Sequence, residues 1–78
     1  MMKISFSYSK LIKVEVYPND SIIDVPDNCT VRDLLALLKL PGYVQRATVV
    51  HVNGEPVWPA TTLKEYDTVK LFRPVSGG

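Results

Sequence analysis

A chain of 78 residues, 46% hydrophobic and 22% charged, has the composition of one small folded domain rather than of a disordered segment. Its formal net charge of +1, with the signs interspersed, gives no basis for direct nucleic-acid binding or for attraction to an anionic membrane. One cysteine makes no internal disulfide, no apolar run approaches a membrane span, and no signal-peptide core stands at the start, so a soluble, cytoplasmic protein is expected.

Residues 3–8 alternate apolar and polar, with Ile4, Phe6 and Tyr8 in one phase. Residues 11–17 do the same, with Ile12, Val14 and Val16 on one face. A single strand over both would exceed the usual length of roughly 3–10 residues. Ser9-Lys10 is also a poor hairpin turn, because neither residue favours a positive φ. The expectation is an irregularity at 9–10 and a first core strand at 11–17, leaving residues 1–10 as an N-terminal extension of it or an added edge strand. Pro18-Asn19-Asp20-Ser21 is a turn by composition. Residues 22–26 return as a second strand with Ile23 and Val25 facing inward, completing a hairpin.

Thr30-Val-Arg-Asp33 begins a helix in the manner of a capping box, with Asp in place of Glu or Gln. Val31, Leu34, Leu35 and Leu38 then fall at i, i+3, i+4 and i+7, a stripe for the core, with Arg32, Asp33 and Lys39 on the other face. Pro41-Gly42 is expected to stop this helix, and residues 43–47 to form a polar link. A third strand follows at 48–52. Asn53-Gly54 is a strong turn signal, and residues 55–58 form a short edge strand whose proline suits an edge. Residues 61–67 are loop, with Leu63 as an apolar plug.

The final strand runs over residues 68–73, with Val69 and Leu71 inward and Lys70 and Phe72 outward. Pro74 lacks an N–H and ends the pairing. Residues 74–78 are then a flexible arm, with a reach of roughly 17 Å if extended. Gly77 and Gly78 carry no Cβ and can thread a slot too narrow for other residues. The Gly78 α-carboxylate is the one group a partner could activate. Taken together the elements give an α+β β-grasp arrangement. Its mixed four- to five-stranded sheet packs on one main helix, with the last strand parallel to the first. The expected organisation is thus a 1–10 extension, an 11–73 domain and a 74–78 tail.

Other chemistry-bearing residues invite a bland reading. Cys29 stands just before the helix, where a dipole lowers a thiol pKa, but a lone cysteine without basic neighbours in sequence is inert. His51 has no second ligand spaced for a metal and reads as a surface or packing histidine. Asp24, Asp27 and Asp33 have turn and cap settings, not those of an acid/base pair. Trp58 is either a surface contact or a lid over the core.

From Leu11 onward the chain resembles the ThiS/MoaD-type sulfur carrier proteins of the ubiquitin-like superfamily. The matching stretches are Asp27-Asn-Cys-Thr-Val-Arg-Asp-Leu-Leu35, Val52-Asn-Gly-Glu-Pro-Val57, residues 63–69 and Phe72-Arg-Pro-Val-Ser-Gly-Gly78. Tyr66 stands where that family usually has Gly before Asp67. If the turn requires φ > 0 there, Tyr costs on the order of 1 kcal/mol.

The resemblance implies a carrier with no catalytic residue, no metal and no bound cofactor. An E1-like adenylating enzyme, using ATP and Mg²⁺, would activate Gly78. A persulfide sulfur donor would convert it to a thiocarboxylate. A sulfur-accepting synthase would use it for thiazole (thiamine), molybdopterin or tRNA thiolation. Gly77 and Ser76 would thread the partner's channel, and Phe72, Arg73, Pro74, Val75 and Lys70 would form the docking face. The alternatives are a ubiquitin-like modifier joined through Gly78 to lysines, and a β-grasp interaction module that is never activated.

Overall fold

A computed structural model describes residues 1–73 of the chain. The elements are β1 (Met2–Tyr8), β2 (Ser21–Val25), α1 (Val31–Leu37), α2 (Gly42–Ala47), β3 (Val49–Val52), β4 (Glu55–Pro56) and β5 (Thr68–Phe72). They build one five-stranded sheet in the order β2-β1-β5-β3-β4. β1 is antiparallel to β2 and parallel to β5, and parallel neighbours require a crossover, here through α1. The mixed sheet and its helices are the expected β-grasp fold.

The first strand is not where the alternation at 11–17 put it. Met2–Tyr8 is the strand, and it lies between β2 and β5 rather than at an edge, with Ile4 and Phe6 each 1% exposed. The hairpin therefore joins β1 to β2 through residues 9–20, not across the short turn at 18–21. Residues 1–10 are part of the domain. Residues 11–17 form no strand, yet Ile12 and Val14 are buried. They enter the core as side chains on a loop. A turn at Ser9, whose carbonyl accepts from the Ile12 N–H at 3.0 Å, redirects the chain. Tyr8 Oη donates to the Val14 carbonyl at 3.3 Å. Asn19 acts as a surrogate strand residue for Tyr8: its Oδ1 accepts from the Tyr8 N–H at 2.8 Å and its Nδ2 donates to the Tyr8 carbonyl at 2.9 Å.

α1 starts as its sequence dictates. The Thr30 hydroxyl accepts from Asp33 N–H and the Asp33 carboxylate from Thr30 N–H, both at 3.1 Å. The next orphan donors are met from the far loop: Val31 N–H reaches the Thr61 carbonyl and Arg32 N–H the Pro59 carbonyl, both at 2.9 Å. Leu63 fills the space below, 2% exposed, as the expected plug. The stripe Val31, Leu34, Leu35 and Leu38 is buried against the sheet.

The helix ends before Pro41. Leu38 caps it and Lys39 turns out of it at φ 57, a left-handed position usually given to glycine. Residues 43–47 are helical, not a link. Pro41 opens α2, Gln45 Nε2 donates to the Leu40 carbonyl at 2.8 Å, and Val44 alone turns toward the core. So little apolar periodicity in six residues leaves no helical signature in sequence.

Asn53 and Gly54 take φ 53 and 85, the turn that Val52↔Glu55 pairing needs, and β4 is the edge. Tyr66 adopts φ 66, so the turn before Asp67 is kept and tyrosine carries its strain. No helix among the described residues is long and apolar enough to cross a membrane.

Candidate functional site

The strand that leads into the C-terminal segment is held more firmly than its length suggests. β5 pairs on both sides, with β1 over Ser5↔Thr68 to Tyr8↔Leu71 and with β3 over Val49↔Phe72 to Val52↔Val69. Its entry is clamped by Asn53, which accepts from Thr68 N–H at 2.9 Å and donates to Asp67 Oδ1 at 3.0 Å. The other Asp67 oxygen accepts from Lys64 N–H at 2.8 Å, closing the turn that Tyr66 strains. Its exit is marked by Ser9 N–H donating to the Leu71 carbonyl at 3.0 Å. Val69 and Leu71 are 0% exposed, so the strand can neither slide nor roll without opening the core. The direction in which Arg73 leaves the sheet is thereby fixed.

Lys70 and Phe72 lie on the outer face, as their period requires. Phe72 is 40% exposed, and its ring meets that of His51 edge-on, centroids 4.8 Å apart at 67°. Val49 opposite Phe72 and His51 opposite Lys70 complete a half-buried patch. His51 is thus a packing residue for the exposed aromatic. Among the described residues no group of three or more His, Cys, Asp and Glu side chains could hold a metal. Arg73 is exposed and is the last described residue. Pro74, Val75, Ser76, Gly77 and Gly78 lie outside the described residues.

The remaining candidates separate cleanly. Cys29 is buried, and burial first and the Asp33 carboxylate second push its thiol pKa up, the opposite of an activated thiol. Asp33 caps α1, and the Thr30 N–H and hydroxyl hold its carboxyl below the usual range. Asp24 pairs with Lys3 at 2.9 Å, and Asp27 lies 3.5 Å from the N-terminal ammonium. They share no site. Trp58 is 81% exposed and so is no lid; it borders an apolar hollow of about 790 Å³ with Val31, Leu35 and Val57. Ile22, 70% exposed, is a further outer-face residue that sequence reasoning passed over. It is level with Ser5 and Thr68, four residues before Phe72 along β5, and outside the Phe72 patch.

No set of described side chains converges on a reacting centre; what the fold supplies is a rigid strand end with an aromatic patch beside it. The ThiS family model matches residues 11–78, through the diglycine. The chain belongs to the ThiS family. A comparison with curated proteins finds no match. Among solved structures it resembles a putative molybdopterin converting factor, subunit 1, from Pyrococcus furiosus at 25% identity and TM-score 0.69, covering 96% of this chain and 100% of that one. It also resembles small archaeal modifier protein 1 of H. volcanii, at 21% identity and TM-score 0.71, again covering 96% and 100%. A Caldiarchaeum subterraneum ubiquitin matches at 21% and 0.59, over 99% of this chain and 98% of that one. The last two show the fold. ThiS-family proteins of this size are carriers, not enzymes, and they work with E1-like enzymes and sulfur acceptors. The family match begins at Leu11, but the structural matches extend over most of β1, so the missing strand is a limit of sequence similarity and not of the domain.

Proposed function

We propose that this ThiS-family protein is a sulfur carrier whose Gly78 carboxylate is the working group. The observation that supports this most is the family match running through Gly78, on a chain whose preceding strand is paired on both sides. At neutral pH that carboxylate is ionised and resists nucleophiles, its reference pKa being about 3.5. An E1-like enzyme with MgATP forms the Gly78 acyl adenylate and releases pyrophosphate. The terminal sulfur of a persulfide then bonds to the Gly78 carbonyl carbon, and AMP leaves with the bonding pair. A thiol cleaves the resulting acyl disulfide, is itself oxidised to a disulfide, and leaves the thiocarboxylate. A synthase in thiazole, molybdopterin or tRNA thiolation takes that sulfur.

In this reading Phe72, stiffened by His51, and Lys70 meet the partner's surface. Arg73, Pro74 and Val75 direct the segment, and Ser76 and Gly77 pass through its channel. The likeness to an archaeal modifier favours one alternative, attachment of Gly78 to lysines, which shares the adenylation step. Incubation with an E1-like enzyme, ATP and a persulfide donor, read by intact mass, tests the proposal. Replacement of one terminal oxygen by sulfur is expected, and it is abolished when Gly78 is deleted or followed by one more residue. Isopeptide linkage of Gly78 to lysines, read after trypsin as a remnant of residues 71–78 because the Arg73-Pro74 bond is not cut, would without that exchange replace the carrier reading with the modifier one. An unchanged mass with each E1-like enzyme of the same genome would leave a non-activated module.

A further inference from the structure

The loop that displaced the expected first strand builds a surface of its own. Ile12 and Val14 anchor residues 9–17 to the core, and the intervening side chains turn outward. Facing them is the corner between α1 and α2, where the left-handed turn at Lys39 brings the chain round to Pro41. Between the two lies a groove of about 470 Å³. Its apolar walls include Leu11, Val16 and Tyr43, which are 53%, 43% and 66% exposed. Lys13, Lys39 and Arg73 also line it, and among the described residues Glu15 is the one acid there, 3.6 Å from Lys13. Three cations and one anion among the described lining residues give the rim a net charge of +2.

Arg73 belongs both to this rim and to the exit of β5. It is one peptide bond from Pro74, so a protein that encloses residues 74–78 must bring its surface to the groove's edge. We infer that the groove is a second docking site, taking from the tail-binding partner a short acidic segment that places one aliphatic or aromatic side chain between Leu11, Val16 and Tyr43. The identity of that partner as an activating enzyme rests on the carrier reading; the chemistry of the groove does not. Two linked contacts, tail and groove, raise the effective concentration of each for the other. Opposed charge speeds encounter and fixes register.

Two experiments separate this inference from the carrier reading. In the first, the full chain is titrated with a synthetic peptide of four acidic residues around a central phenylalanine, and with its lysine counterpart, up to millimolar concentration, by amide NMR. Shifts at Leu11, Val16, Lys39 and Tyr43 with the acidic peptide alone are expected. No shift there, or equal shifts with both, overturns the groove. In the second, Lys13→Glu with Lys39→Glu, shown to be folded by circular dichroism, is assayed for adenylation by an E1-like enzyme of the same genome. KM should rise about 10-fold with kcat within about 2-fold, and the gap should shrink at high salt. An unchanged KM overturns the groove and leaves the carrier reading standing. Failure of the unaltered chain to be adenylated sinks the carrier reading and leaves the titration to decide. If truncation at Arg73 moves the groove amides of the free chain, its own tail is the occupant, and the partner inference falls.

Discussion

Met2–Tyr8 and residues 11–17 are neighbours of similar length with the same alternation of apolar and polar side chains, and they fold differently. The first is a strand paired on both sides; the second is a loop that sends Ile12 and Val14 into the same core. Alternation specifies which side chains are buried, and both stretches obey it. It does not specify where the backbone finds its hydrogen bonds. For β1 those partners come from β2 and from β5, about 60 residues away, as in Ser5 N–H to the Asp67 carbonyl at 2.9 Å. Residues 11–17 are tied instead by a turn at Ser9 and by the Tyr8 hydroxyl.

The sharpest way to break this comparison is to empty the core beneath each stretch. Phe6→Ala, at 1% exposure and with Tyr8 and Tyr17 packed around the ring, should cost about 3–5 kcal/mol in urea unfolding. Ile12→Ala, at 2% exposure, should cost about 2–3 kcal/mol, at the low end for its type because a loop collapses into the cavity more easily than a strand. Equal losses would mean that the two stretches are equally constrained. Hydrogen exchange makes the same distinction without mutation. The amides of residues 4–8 should open only with global unfolding, and those of 13–15 should exchange at least about 100-fold faster.

Two local signals sharpen the comparison from the opposite side, because there a few adjacent residues do fix the backbone. Thr30→Ala removes the α1 cap and should cost about 1 kcal/mol near neutral pH by thermal or chemical melts. Asp33's carboxyl lies below its unfolded value, so its contribution is complete above about pH 4 and fades as pH falls through the folded pKa. The variant keeps the Thr30 N–H but loses the hydroxyl. Its stability should therefore fall less steeply on acidification than that of the parent. The smallest effect is a gain. Tyr66→Gly relieves a left-handed φ at a residue 76% exposed, and should stabilise by up to about 1 kcal/mol, reduced by the greater freedom of glycine in the unfolded chain. A loss instead would show that the exposed ring makes a contact worth more than the strain.

These cases also mark what was legible. The capping box at Thr30, the Val31–Leu34–Leu35–Leu38 stripe, the Asn53-Gly54 turn and the inward phase of Val69 and Leu71 were readable because each depends on residues close in sequence. α2 was not, since only Val44 turns inward and Gln45 must reach the Leu40 carbonyl. Phe72 could be placed on the outer face from its period, but its contact with His51 depends on the β3–β5 register. The groove by Arg73 has no signature at all, because its walls come from three separate parts of the chain.

By itself, then, the sequence determined the family, the start of the main helix and the turn before the edge strand. The tertiary structure decided which alternating stretch became the strand beside β5, and so what surrounds Arg73. The reason is physical. Side-chain burial is encoded residue by residue, whereas a strand's place in a sheet is set by donors and acceptors that only the folded chain brings together.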